Sequence, residues 1–479
     1  MKINATVMAG LLVVGLTAQI CHAETVLEKE QKRIKLNKKY DRHKLREKDD
    51  FVTDTSIDFL VEPEPLAHDR NFVVAKTPPS VKMRIIPDMV PEYFLDIGDK
   101  GAAYMLAWAN WARMTRSDDN RFYFAVSDHR GEGCHINLYE YSPARNIVHK
   151  VLDLKELFGW TDKMQTDGKI HGHMGIMPDG TLWGATHYGV FPDSSWFANG
   201  YRGSWLFSYN INTHESKNWG VPLIGNALPC FNVDTKRGIL FGTGYKYTCL
   251  SWDMVNKKVK YAGYPPNGWI WWRRAMLCDL ETGKFWSTED SEDNPRFVSF
   301  DPEFNKFERY ELTPPPNPYN GNVNVMRGYT DEPAMDGWYY CCSKAERGPS
   351  GLAFFRFRPE GTNGPEVEPL GVTWDKGQDT LQMLVSPKGR YVYYLPRSKN
   401  SPLVQYDVKT GTKKALCWLY DYYLEKYGYT IGFSYGLEIS TDGSSIVVCM
   451  NGAFQGPDGG GYGHPSLFVI DIPEEERVE

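Results

Sequence analysis

Short apolar and aromatic runs recur along the chain, and each follows a tight-turn signal. Runs of this length behind Gly, Asn or Asp turns are typical of strands. There are seven of them: SDDNRFYFAVSD, PDGTLWGATHYG, TKRGILFGTGYK, ETGKFWSTED, AMDGWYYCCS, PKGRYVYYLP and TDGSSIVVCMN. Outside the charged N-terminal segment and residues 418–427, no amphipathic helical period stands out. The pattern therefore predicts an all-β chain.

Each of these runs is followed by a second strand-like run that ends in another turn. The second runs carry one landmark residue each, separated by 43 to 68 residues: Tyr141, Tyr209, Trp252, Phe300, Phe357, Tyr406 and Ile470. This spacing is close to the ~40–50 residues of a propeller blade once loops are allowed for. We therefore predict a single seven-bladed β-propeller over residues 71–479, with a β-sandwich as the alternative.

The last repeat ends without an outer strand, because the chain stops soon after LFVIDI. Residues 71–86, NFVVAKTPPSVKMRII, precede the first complete repeat and are strand-like. A ring closed by strands from both termini would cover an edge that otherwise promotes aggregation. We expect a strand within 71–86 to pair with residues 467–472.

The N-terminal region has two parts that we expect to lie outside the propeller. Residues 1–23 combine a basic start, an apolar stretch and a small-residue site, as in a secretory signal peptide. Residues 24–70 begin with a highly charged segment and are expected to form a leader. The mature protein is therefore expected to be secreted or periplasmic, with no membrane-spanning segment. We also expect it to be a monomer.

Composition limits the partners that the protein can bind through overall charge. The 479 residues include 54 Lys+Arg and 60 Asp+Glu, a formal net charge of −6. Bulk charge therefore excludes non-specific capture of a polyanion, and no nucleic-acid partner is expected. A polyanionic ligand would need a locally basic site.

Four side chains that can carry out acid–base chemistry are predicted to lie on one rim of the ring. The start of a blade's first strand and the end of its second strand share a rim, which places His171 near His187. His187 and Tyr245 each lie seven residues after the turn glycines Gly180 and Gly238. Alignment of the first strands places Arg273 opposite His171. The alternative is that these are solvated strand ends and that the arginine stacks on indoles such as that of Trp271.

An arginine, two histidines and a tyrosine suit the cleavage of a 4-linked uronic acid by β-elimination. A base removes the proton on C5, an acid protonates the leaving O4, and a cation must neutralise the carboxylate. Arginine suits the last role because its planar fork meets a carboxylate through two hydrogen bonds. Histidine and tyrosine can exchange the protons. Hydrolysis would normally need two carboxylates instead.

The segments WANWARMTRSDDNRFYFAVSDHRG, GKIHGHMGIMPDGTLWGATHYG and NGYRGSWLFSYNINT resemble the seven-bladed propeller polysaccharide lyases. The resemblance is closest to ulvan lyases and more remote to oligogalacturonate lyases, and it covers most of residues 95–475. It implies endolytic β-elimination of ulvan, an anionic polysaccharide, at the uronate next to 3-sulfated rhamnose. Carried over by motif, the catalytic residues would be His171, His187, Tyr245 and Arg273. Arg274 is an alternative to Arg273, and Tyr188 or Tyr247 to Tyr245.

The same resemblance implies substrate contacts and a metal. Substrate-binding candidates around the catalytic four are Tyr188, Arg202, Lys246, Arg274 and Trp271. The family tends to hold a structural metal, for which the candidate ligands are Cys278, Cys341 or Cys342, and His464. These soft ligands would suit zinc, and buried thiols are the alternative. No organic cofactor is expected.

Two other functions remain open from the sequence. One is a non-catalytic exported propeller that binds a glycan or a protein through the same rim. The other is an oligogalacturonate lyase in which a metal, rather than an arginine, neutralises the carboxylate.

Overall fold

A computed structural model describes residues 51–63, 71–86, 108–129, 131–189, 198–245, 247–291, 294–344, 352–375, 380–397, 401–454 and 462–478. The predicted signal peptide and residues 24–50 and 64–70 of the predicted leader lie outside these ranges, as does Lys246. Among the described residues, no helix is long and apolar enough to cross a membrane.

The described residues form seven sheets of four or five strands, in which strands that follow one another in the chain pair antiparallel. Blades 1 to 3 contain β4 (Ala109–Asn110), β5 (Thr115–Arg116), β6 (Phe122–Ser127), β7 (Ile136–Ser142) and β8 (Ile147–Asp153); β9 (Asp167–Ile170), β10 (Gly175–Ile176), β11 (Thr181–Tyr188), β12 (Leu206–Asn210) and β13 (Ser216–Gly220); and β14 (Cys230–Asp234), β15 (Ile239–Thr243), β16 (Cys249–Asp253) and β17 (Lys258–Gly263).

Blades 4 to 7 follow the same plan, and the last two also take strands from the N-terminal segment. They contain β18 (Leu277–Cys278), β19 (Phe285–Thr288), β20 (Phe297–Asp301) and β21 (Lys306–Arg309); β22 (Val325–Tyr329), β23 (Tyr339–Lys344), β24 (Phe354–Gly361) and β25 (Gly364–Gly371); β26 (Met383–Val385), β27 (Tyr391–Tyr394), β28 (Leu403–Asp407), β29 (Lys413–Cys417) and β2 (Phe72–Val74); and β30 (Thr430–Ile439), β31 (Ser445–Ala453), β32 (Ser466–Asp471), β3 (Ser80–Ile85) and β1 (Val52–Asp54). The prediction of an all-β, seven-bladed propeller is confirmed.

The turn before the second strand of every blade has the same backbone conformation. One residue in each of these turns has a positive φ, between 62° and 82°, namely Asn120, Gly180, Gly238, Gly283, Gly337, Gly389 and Gly443. Glycine and asparagine adopt this left-handed conformation at low cost. The recurring turn signal in the sequence is therefore a direct consequence of the repeated hairpin.

The ring closes as predicted, through a strand from each end of the chain. Strand β3 pairs antiparallel with β32, from Ser80 opposite Asp471 to Ile85 opposite Ser466. Beyond it, β1 adds a further edge strand to blade 7, although it lies in the segment predicted as a leader. A strand of three residues is too short to give a recognisable alternating pattern.

Among the residues that the structure describes, helices are few and lie at the edges of the sheets. Helix α1 (Leu154–Phe158) follows blade 1, and α2 (Tyr420–Tyr427) lies between blades 6 and 7, where residues 418–427 suggested a helix. Three short 3₁₀ helices cover Ile57–Leu60, Pro266–Gly268 and Glu474–Glu476. The hydroxyl of Tyr427 donates to Asp54 at 2.9 Å, so α2 fixes the added edge strand.

The core consists of apolar layers between neighbouring blades. Aromatic side chains fill much of it, and those of Trp183, Trp271 and Trp286 are almost completely buried. The eight described cysteines are also buried, and no disulfide joins them.

Candidate functional site

The residues singled out from the sequence lie where the first strand of a blade begins and the second ends, an edge called here the upper rim. His171 precedes β10, and Arg273 and Arg274 precede β18. His187 and Tyr188 end β11, and Tyr245 follows β15. Seven blades repeat this geometry, so single residues from neighbouring blades converge on the same edge.

Ring contacts connect the four predicted catalytic residues. The centroid of the His187 ring lies 5.7 Å from that of His171 and 4.0 Å from that of Tyr188. The Tyr188 ring meets that of Tyr245 edge to face at 5.3 Å. The guanidinium of Arg273 lies 5.5 Å from the Tyr245 ring. The predicted residues are therefore brought together, and their catalytic roles stay predictions.

Arg274, rather than Arg273, contacts a histidine. Its Nη1 lies 2.8 Å from Nε2 of His171. Arg273 instead lies over the ring of Tyr247, at 5.0 Å, and bonds the backbone oxygen of Tyr245 at 3.3 Å. The two arginines lie in a turn that precedes β18, and their side chains make separate contacts. The two arginines therefore serve different parts of the rim.

The hydrogen bonds of His171 define its protonation. Arginine can only donate, so Nε2 of His171 must accept from Arg274. Nδ1 lies 2.9 Å from the backbone oxygen of Pro229, which can only accept, so Nδ1 must carry the proton. Burial, followed by the charge of Arg274, lowers the pKa of His171 well below its usual value. His171 is therefore a neutral imidazole whose lone pair faces a cation.

His187 lies beneath this pair and is completely buried. Neither of its ring nitrogens has a hydrogen-bond partner among the described residues. Burial and then the charge of Lys169 lower the pKa of His187 well below its usual value. An unsatisfied buried imidazole is costly to fold around, which makes His187 a strong candidate for a functional group.

A buried carboxylate, Asp167, lies next to the tyrosines of the rim. Asp167 accepts hydrogen bonds from Thr186 at 2.5 Å and Tyr201 at 2.8 Å. Burial raises the pKa of Asp167 to about 7. Tyr201 packs with Tyr188, and Tyr245 lies against the same cluster. Burial raises the pKa of Tyr188 to about 12, so this phenol is protonated near neutral pH.

Three residues of the site, Lys169, His129 and Trp111, were not identified from the sequence. Nζ of Lys169 lies 2.8 Å from Nε2 of His129 and 4.8 Å from the ring of Trp111. Burial, with the charge of Arg274, lowers the pKa of Lys169 to about 7. Lys169 lies two residues before His171 in an extended segment, and this spacing, which places both on one face, was a usable signal.

The other predicted substrate contacts have different outcomes. The prediction that Trp271 binds substrate is wrong. Its side chain is completely buried against Phe241 and Phe307, in the core between blades 3 and 4. Arg202 is exposed next to Tyr201, and Lys246 lies outside the described residues. Tyr188 and Arg274 lie inside the site.

The predicted zinc ligands do not form a site. Cys278 lies in the core between blades 3 and 4, Cys342 in that between blades 5 and 6, and Cys341 in that between blades 4 and 5. His464 packs against Phe454 in blade 7. No group of three or more His, Cys, Asp or Glu residues suited to a metal occurs among the described residues. These residues do not fit a shared ion because they belong to different inter-blade layers.

The upper rim and the axial channel below it differ in charge. The rim carries the cations Arg113, Lys169, Arg273, Arg274, Arg327 and Arg397. The channel encloses about 490 Å³, and its walls include Asp118, Asp331, Glu332 and Glu438. Arg113 pairs with Asp331 at 2.7 Å where the two regions meet. Arg116 also lines the channel, and burial raises the pKa of Glu438 to about 8. An anionic ligand would therefore be attracted to the rim.

Comparisons with known proteins add nothing to the assignment of the site. No family model matches the chain, and no curated protein matches it. Among solved structures, it is similar to a candidate 6-phosphogluconolactonase from Bacteroides fragilis. The identity is 9%, the match covers 66% of this chain and 83% of that chain, and the TM-score is 0.43.

Proposed function

We propose that the protein is an endolytic polysaccharide lyase that cleaves an anionic, uronate-containing polysaccharide by β-elimination, with ulvan as its substrate. The observation that carries this proposal is the hydrogen bond from Arg274 to Nε2 of His171, among protonatable side chains on a basic rim. The bond joins a cation that would suit a carboxylate to an imidazole nitrogen that can accept a proton, 2.8 Å apart.

In this proposal, Arg274 neutralises the uronate carboxylate. Binding of the carboxylate draws the guanidinium away from His171 and frees the Nε2 lone pair. Because the charge of Arg274 helps to lower the pKa of His171, its neutralisation makes the imidazole more basic. Substrate binding would thus activate the base only when the carboxylate is in place.

His171 would then take the proton from C5 of the uronate onto Nε2. The C5–H electron pair forms the C4–C5 double bond, and the bond from C4 to O4 breaks, with its electron pair leaving on O4. A tyrosine hydroxyl, from Tyr188 or Tyr245, gives its proton to O4. The tyrosinate then regains a proton and His171 releases the one it took, in an exchange through water. Tyr188 is protonated near neutral pH, as a general acid must be before it donates its proton.

The charge distribution supports an anionic chain as the substrate. A protein with a formal net charge of −6 has four arginines on one rim, Arg273, Arg274, Arg327 and Arg397, besides Arg113, which is paired with Asp331. The nearby carboxylates are committed: Asp167 to Tyr201 and Thr186, and Asp331 to Arg113. Two unengaged carboxylates, as glycoside hydrolysis requires, are not found among the described rim residues.

The proposal is tested by mixing the protein with ulvan and following ultraviolet absorbance, because the double bond formed is conjugated to the carboxylate. Ulvan, pectate and a uronate-free sulfated polysaccharide are compared, with and without chelator. A rise with ulvan alone that survives chelation supports the proposal. A rise with pectate that is lost in chelator and restored by manganese supports an oligogalacturonate lyase. Binding without any rise supports a glycan-binding propeller.

A further inference from the structure

A row of aromatic rings continues from His171 along the upper rim, away from Arg273. The ring centroid of Trp111 lies 6.4 Å from that of His171, and the Trp111 ring stacks on Tyr462 at 5.5 Å and 21°. Tyr462 in turn stacks on Trp108 at 4.9 Å and 27°. Tyr435 lies 4.9 Å from Trp111 and 5.7 Å from His171. We call these four residues, Trp108, Trp111, Tyr435 and Tyr462, the aromatic wall.

The wall is not simply part of the hydrophobic core. Trp108, Trp111 and Tyr462 remain partly exposed, whereas the aromatic side chains between blades are mostly buried. The three stacked rings come from blade 1 and from the segment before β32, so the wall bridges the seam where the ring closes. Aromatic surface left exposed beside polar groups is a common feature of binding sites.

A cation lies beside the aromatic wall. The guanidinium of Arg397 lies 4.8 Å from the ring of Phe433 and 5.7 Å from that of Tyr435. Phe433 meets Tyr462 edge to face at 5.7 Å. Stacking on aromatic rings holds a guanidinium in place, and a guanidinium is a good partner for an oxyanion.

We propose that the aromatic wall is a binding subsite for the sugar ring next to the reacting uronate, and that Arg397 binds an oxyanion on that sugar, either a sulfate ester or a carboxylate. This inference rests on the proposed function, since His171 defines where the reacting sugar lies. The apolar face of a pyranose packs well on aromatic rings, and the wall starts within one ring contact of His171. Arg397 lies beside Phe433 and Tyr435, and the Tyr435 ring also contacts His171.

The test measures binding rather than turnover, in a His171→Ala background so that the ligand is not consumed. Tyr462→Ala, Tyr462→Phe and Arg397→Gln are compared by calorimetric titration with ulvan fragments, desulfated ulvan fragments and pectate fragments. Phe304→Ala, an exposed aromatic residue in a turn of blade 4, and Arg358→Gln, whose guanidinium lies over Trp338, serve as matched controls.

We expect Tyr462→Ala to weaken binding at least about fivefold, on the scale of one lost ring contact, and Tyr462→Phe to retain it. Arg397→Gln should weaken binding at least about tenfold, on the scale of one lost charge-assisted hydrogen bond. The controls should have no effect. An Arg397 effect that disappears with desulfated fragments identifies a sulfate ester, and one that persists identifies a carboxylate.

Equal affinities for all variants would overturn the subsite, even if unsaturated products form with the wild-type protein. Binding that depends on Tyr462 and Arg397, without product formation by the wild type, would retain the subsite and reject the lyase. If the His171→Ala protein binds none of the fragments, the subsite is rejected.

Discussion

Nη1 of Arg274 lies 2.8 Å from Nε2 of His171, and this contact forces the imidazole into the tautomer with its proton on Nδ1. The base and the carboxylate-binding group of the proposed reaction are therefore coupled before substrate arrives. Arg273, which the sequence favoured as the neutralising cation, lies instead beside Tyr245 and Tyr247. The two adjacent arginines should differ in function.

Substitution of each arginine tests this difference. Arg274→Ala should lower turnover at saturating substrate by at least about a hundredfold, because the lost cation stabilises charge that develops in the transition state. Arg274→Lys should recover only part of the rate, since an ammonium lacks the two-pronged fit. Arg273→Ala should mainly raise KM. The reverse pattern in steady-state kinetics would assign neutralisation to Arg273.

The two histidines should differ in their effect on stability. His171→Ala should lower turnover by roughly two to four orders of magnitude, because it removes the proposed base. His171 is partly exposed, so its loss should change the melting temperature little, whereas loss of the completely buried His187 ring leaves a cavity. Turnover assays and thermal melts of the two variants check this. Unchanged turnover in His171→Ala would exclude it as the base.

The N-terminal strands should be needed for a soluble ring. Deletion of residues 24–50 should cost little, whereas deletion of 24–90 removes β1, β2 and β3 and leaves β32 as an open edge. Soluble yield and size-exclusion profiles of the two truncated proteins measure the effect. A longer truncation that stays equally soluble and stable would refute the role of closure.

The acidic channel should make stability depend on pH through Glu438. Burial raises the pKa of Glu438 to about 8, above the value of about 4.3 for an exposed glutamate. The folded state thus holds this proton more tightly, and the resulting stabilisation, complete below about pH 4, is lost as pH rises to about 8.

Glu438→Gln removes this titration, because glutamine cannot ionise. The variant should melt close to the wild type at about pH 5 and at a higher temperature than the wild type at about pH 8.5. Glu303→Gln, on an exposed turn, is the control and should not change the difference. If the difference in melting temperature between Glu438→Gln and wild type were the same at every pH in this range, the Glu438 carboxyl would not titrate as described.

The fold could be predicted because each hairpin repeats a local requirement. The turn before every second strand needs a residue with a left-handed φ, from Asn120 to Gly443. A glycine or asparagine therefore marks each turn in the sequence, even where the rest of the repeat differs between blades. The three-residue strand β1 left no such signal, and only its pairing with β3 makes it part of the sheet.

The site could be predicted in part. The blade repeat placed His171, His187 and Tyr245 on one rim, because equivalent strand ends share an edge. It could not decide between Arg273 and Arg274, since both lie in a turn before β18, where the blade repeat does not set the direction of a side chain. Trp271 was misassigned because the sequence does not show whether a tryptophan beside an arginine is buried in a core or exposed on a surface.

The central claim is β-elimination at the upper rim, and the absorbance of the product tests it most directly. Purified protein mixed with ulvan should produce a steady rise in ultraviolet absorbance from the unsaturated uronyl ends. The rise should be abolished by His171→Ala and lowered at least about a hundredfold by Arg274→Ala. No rise from the wild-type protein with ulvan or any other uronate polymer, or an equal rise from the His171→Ala and Arg274→Ala variants, would contradict the account.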